Sequence, residues 1–179
     1  MKACALLLAM FASTWGQTAE LTPAWNIRKA LDELVAQSQK LTPMLSDVKP
    51  GDWVASGASA TYVDQHKSLL AEIDYLKRTA EELARKPESL TTTLQLYLRL
   101  QSLESMLDSF SHGIRRYQNP ALADLVQSMI SENDTHRVRL REYLVELAET
   151  KEQEFRIVDD EAQKCRGTLI RQPRSPKKQ

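Results

Sequence analysis

Residues 90 to 114 read LTTTLQLYLRLQSLESMLDSFSHGI, and Leu96, Leu100, Leu103, Leu107, Phe110 and Ile114 within them recur at alternating steps of four and three. That spacing places them on one stripe of an α-helix, and no strand period of two fits it. Leu90, Leu94, Leu98 and Met106 widen the apolar arc, so this helix, from about Pro87 to Arg116, is expected to be the most buried in the molecule. Gly113 near its end reads either as a C-cap or as a point of close approach.

Upstream, Tyr62, His66, Leu69, Ile73, Leu76, Ala80 and Leu83 form a second stripe over about Ala60 to Arg85. Lys86-Pro87 ends it, because proline disfavours helical geometry in the residue before it. A turn that tight makes these two helices antiparallel neighbours. Further upstream, Ile27, Leu31, Leu34, Ser38 and Leu41 mark a helix from about Pro23, with Thr22 as its N-cap. Leu41-Thr42-Pro43 repeats the Leu21-Thr22-Pro23 signal, so a further short helical turn is expected from Pro43. Between the first two long helices, Ser46 to Ser59 carries Pro50-Gly51 and Gly57, the pattern of a loop. Trp53 within it is expected to plug the bundle end.

Downstream, Asn119-Pro120 supplies an N-cap and a first helical residue. Leu122, Val126, Met129, Asn133, His136, Leu140, Tyr143 and Leu147 then share a stripe that hands over to Leu144, Ala148, Lys151, Phe155, Val158, Ala162 and Cys165. A one-residue shift over such a length matches the drift of about 20° per heptad in a straight helix. One long helix follows from this, with Ser131 to Thr135 the place for any break. Its second half would overhang a three-helix stack, and the first helix is expected to pack there. The expected fold is all-α: an antiparallel bundle of about four helices with a long C-terminal helix.

The two ends read differently from the body. Lys2, the apolar run Ala3 to Phe11 and the small residues that follow have the three-part layout of a secretory signal. Residues 1–19 are therefore expected to be a signal peptide cut near 16 or 19, residues 20–168 the bundle domain, and residues 169–179 a basic tail, disordered by composition. The apolar run falls short of the roughly 18 residues that a membrane anchor needs. A periplasmic or secreted location follows.

Lys and Arg number 24 and so do Asp and Glu. Loss of Lys2 with the leader barely changes that balance, which argues against a general nucleic-acid-binding role. The charge is uneven, however. Arg166, Arg171, Arg174, Lys177 and Lys178 stand near the end with no acid among them, and they are the candidate contacts for an anionic partner. Cys4 leaves with the leader, so Cys165 has no internal disulfide partner. It reads as a buried small side chain on the stripe or as a thiol linking two chains.

No sequence motif for covalent haem, zinc hydrolysis, phosphate binding or a serine nucleophile occurs. Di-iron bundles need Glu-x-x-His on two helices, but Val63, Ser109 and Asn133 precede the three histidines at that spacing. The Leu-Thr-x-x-Gln signature of exported chaperone-like bundles fails at Leu94 and Trp25. Asp108 with His112 and Glu132 with His136 read as helix salt bridges. Counting levels from the tight turns sets His66 level with Leu107 and separates His112 from His136 by roughly 15 Å. Arg115, Arg116, Arg137, Arg139 and Arg141 read as a solvated face.

The leading expectation is an exported, non-catalytic interaction or structural protein of the cell envelope, with no cofactor. The alternative is a bundle binding a small ligand, metal or haem around His66 and His136.

Overall fold

The computed structural model describes residues 24–171, and the side chains of residues 27–168. Among these it is all-α, with helices α1 (Ala24–Gln39), α2 (Leu41–Ser46), α3 (Pro50–Ala55), α4 (Thr61–Arg85), α5 (Leu90–Tyr117) and α6 (Pro120–Arg171). Thr22, Pro23, the leader and its cleavage positions lie outside the described residues, as do residues 172–179. The α6 backbone continues to Arg171, through the first positions of the expected tail.

The long helices α1, α4, α5 and α6 form the bundle, each antiparallel to the two it packs against. Gln65 of α4 donates to the Met106 carbonyl of α5 (3.4 Å), and Glu72 pairs with Arg99 (3.2 Å). Gln127 of α6 donates to Asp108 of α5 (2.9 Å), while Tyr143, much further along, donates to the Pro87 carbonyl beyond the other end of α5 (2.7 Å). Helix α1 closes the ring between α4 and α6: Arg28 donates to the Ala84 carbonyl (3.1 Å), and Gln37 reaches Met129 and Glu132.

Local sequence sets the helix ends. Ser89 caps α5 by accepting from the Thr92 amide (3.3 Å), so α5 begins at Leu90, and Pro87 belongs to the turn. Asn119 Oδ1 accepts from the Ala121 amide (2.9 Å) as α6 begins. Helix α6 runs unbroken through Ser131 to Thr135 and is about 78 Å long at 1.5 Å per residue.

The segment expected to be a loop holds the short helix α3, started by Pro50 at its first turn. Trp53 in it is 3 % exposed and sits among Tyr62, Phe110 and Tyr117, with ring centroids 5.4 to 6.0 Å away. It plugs the bundle end, as its place in the sequence suggests. Gly113 is a point of close approach rather than a C-cap, since α5 continues to Tyr117. A Cβ there would lie 2.6 Å from the Tyr62 ring and 3.1 Å from that of Trp53.

The core is the set of stripes read from the sequence: Leu96, Leu100, Leu103, Leu107, Phe110 and Ile114 are fully buried, as are Leu69, Leu76 and Leu83. Two expectations fail. Leu94 and Leu98 are 43 % and 52 % exposed, because they lie outside the arc that α4 and α6 cover on α5. Helix α1 does not support the second half of α6: its Ile27, Leu31 and Leu34 lie beside His136 and Leu140.

Candidate functional site

The bundle ends where the α4–α5 turn meets α6, at the Tyr143–Pro87 hydrogen bond and the groove that Leu90 lines together with Ala148 and Phe155. Beyond that level α6 projects for some twenty residues, about 30 Å. From Glu152 to Thr168 every side chain is exposed except the partly covered Ala162 and Gly167. Phe155, Ile157 and Val158 are 71 %, 59 % and 63 % exposed.

Phe155, Val158, Ala162 and Cys165 form the stripe to which that of Leu140, Tyr143 and Leu147 hands over by a one-residue shift, so they stand towards the side of α6 that is buried further back. Among the described residues nothing covers that stripe. Cys165, the stripe's last described member, is exposed and not a buried core side chain; the helix that would have buried it lies further back. At the root of the projection Leu90, Ala148, Lys151, Glu152, Phe155 and Arg156 line an open groove of about 400 Å³.

The projection is charged in blocks. Glu149, Glu152, Glu154, Asp159, Asp160 and Glu161 outnumber Lys151 and Arg156, and then only bases follow, beginning with Lys164 and Arg166. Of the sequence-predicted contact residues, Arg166 is exposed near the end of this helix. The Arg171 backbone is helical, and its side chain, with Arg174, Lys177 and Lys178, lies outside the described residues.

The histidines stand apart. His66 Nε2 lies 2.7 Å from the Leu45 carbonyl, and its ring stacks on Phe110 at 5.7 Å. That is close to the level counted from the turns. His136 faces α1 instead, beside Ile27, Ala30 and Leu34, and His112 is exposed. The carboxylates expected to pair with histidine engage neighbouring helices, Asp108 with Gln127 and Glu132 with Gln37. Three of the arginines likewise bridge to other acids: Arg115 to Asp124 (2.5 Å), Arg137 to Glu104 (3.1 Å) and Arg139 to Glu33 (3.7 Å).

Around these bridges lies a buried polar layer not foreseen as a unit, although Ser38 and Asn133 visibly interrupt their apolar stripes. Asn133 is fully buried, and its amide finds no partner among the described residues. Burial raises the Glu104 carboxyl above its ordinary range, against the pull of Arg137. Burial, then Arg139, lowers the His136 imidazole, against Glu33. Among the described residues no group of three or more metal-ligating side chains occurs, and no helix is long and apolar enough to cross a membrane.

No protein-family model, curated protein or solved structure matches the chain.

Proposed function

We propose that this is an exported, non-catalytic interaction protein of the cell envelope, periplasmic or secreted, that meets its partner through the projecting half of α6 and the basic end beyond it. One observation carries the reading: Phe155 and Val158 stand exposed on the continuation of the core-facing stripe. Two large apolar side chains aligned on a charged helix are a surface shaped for another protein, and the bundle behind them is already closed.

The test is recovery of the protein from its native host after cross-linking in intact cells. N-terminal sequencing is expected to begin at Gln17 or Glu20. A cross-linked species that disappears in the Phe155→Glu, Val158→Glu double variant supports the reading. An uncleaved chain held in the cytoplasm would overturn export. A bound metal or chromophore lost on His66→Ala would make the protein a cofactor-binding bundle instead.

A further inference from the structure

We propose that Ser38 and Asn133 hold an ordered internal water molecule between α1 and α6. The ligand is water itself, and the site is independent of the projecting half of α6.

Both side chains are committed to the interior without a local partner. Ser38 is 1 % exposed and Asn133 is fully buried. Among the described residues, the Ser38 hydroxyl and both ends of the Asn133 amide find no hydrogen-bond partner. A helical hydroxyl commonly turns back on its own helix, as Ser46, Thr79, Thr93 and Ser131 do by donating to the carbonyl four residues before. Ser38 does not. Buried polar atoms left unpaired are costly, and those that lack a protein partner are where internal water is found.

The two residues also stand at one level of the bundle. Gln37 donates to Met129 (3.6 Å) and reaches Glu132, so Ser38, the next residue on α1, lies within about one turn of Asn133 along the seam, about 5 Å. They are near enough to share a water, yet no direct bond joins them. Helix packing along this seam is loose: one turn further, with Leu34 and His136 in its lining, lies a gap of about 30 Å³. A water molecule needs about 10 to 15 Å³ of such space and two to four polar contacts. The Asn133 amide offers two donors and an acceptor, and the Ser38 hydroxyl offers one of each. Sliding α1 by a heptad would part the two by about 10 Å, so the site belongs to the register observed.

Two other buried atoms compete for such a water. Glu104 Oε1 of α5 and His136 Nδ1 of α6 also lack a hydrogen-bond partner among the described residues. The bridge from Glu104 to Arg137 brings that carboxylate to α6 from the side away from α1. The test therefore has to separate Ser38 from both.

The experiment joins oxygen-17 magnetic relaxation dispersion, which counts long-lived internal waters, with a double-mutant cycle in urea, both on the full chain. The native protein is expected to hold at least one more such water than Asn133→Leu. The effect of Asn133→Leu on the unfolding equilibrium constant is expected to differ about fivefold with and without Ser38→Ala, because each substitution takes away a holder of the same water. Equal water counts would mean a dry site and overturn the proposal, whether or not the cycle shows coupling. A water lost on Asn133→Leu without coupling to Ser38 would assign it to Glu104 or His136 and overturn the proposed site. Neither result alters the cross-link expected through Phe155 and Val158.

Discussion

Gly113 shows how closely the bundle end is built. An added methyl group would meet the Tyr62 ring at 2.6 Å, and that ring is held against Trp53, Phe110 and Tyr117. Alanine favours a helix over glycine by about 1 kcal/mol, but overpacking a core costs about 1 to 3 kcal/mol. Gly113→Ala is expected to lower stability in urea unfolding; a gain would mean that the aromatic cluster yields easily. His136 makes a second single-residue case. Its folded-state proton affinity lies below the ordinary value of 6.5, so the unfolded chain binds the proton first as pH falls. Stability is therefore expected to drop as pH falls below about 6.5, and His136→Leu is expected to remove that drop. Glu104 works in the opposite sense, because its raised proton affinity stabilises the folded state fully below its ordinary 4.5, and that contribution is lost as pH rises from there through its folded value. The difference between native and His136→Leu profiles isolates the histidine; identical profiles would refute the assignment.

Among the elements, α6 joins two regimes on one helix. Leu147 is 1 % exposed and Phe155 is 71 % exposed, although both belong to the apolar stripe that runs along this one helix. Leu147→Ala is expected to cost about 2 to 5 kcal/mol, and Phe155→Ala in dilute solution less than about 0.5 kcal/mol. Comparable losses would mean that the projection packs on the bundle. The unbroken length of α6 was legible in its spacing, as were the cap at Asn119, the turn at Lys86-Pro87 and the plug at Trp53. What the spacing lacked was partner geometry. It showed that Leu94, Leu98, Phe155 and Cys165 lie near apolar arcs, but burial depends on which helix arrives opposite, and a periodic pattern looks the same with or without one. The short α3 was missed because Pro50-Gly51 reads as a turn even where proline opens a helix.

For the molecule as a whole, the closed ring of α1, α4, α5 and α6 and the single projecting helix should open at very different free energies. Among the described residues, helix beyond Lys151 has only its own contacts to resist fraying, whereas the bundle opens with its core. Trypsin in dilute solution is therefore expected to cut first at Arg156, Lys164 and Arg166, leaving a folded fragment that mass spectrometry would place as ending at Arg156. First cuts at Arg99 or Arg137 would contradict the division. The candidate contact residues were legible as a run of charge, but their setting was not. Only the fold shows that the run begins on a helix clear of the bundle, behind an acidic block of the same helix.

An unbroken helix also acts as a ruler. Because α6 crosses from bundle to projection without a hinge, its length fixes how far the bundle stands from whatever the tip meets and which way the tip faces. Removing seven residues from the projection beyond Lys151 would draw the tip in by about 10 Å and leave its facing almost unchanged, whereas removing two would turn it by about 200° at almost the same distance. Reach and facing are thus separately adjustable by length alone.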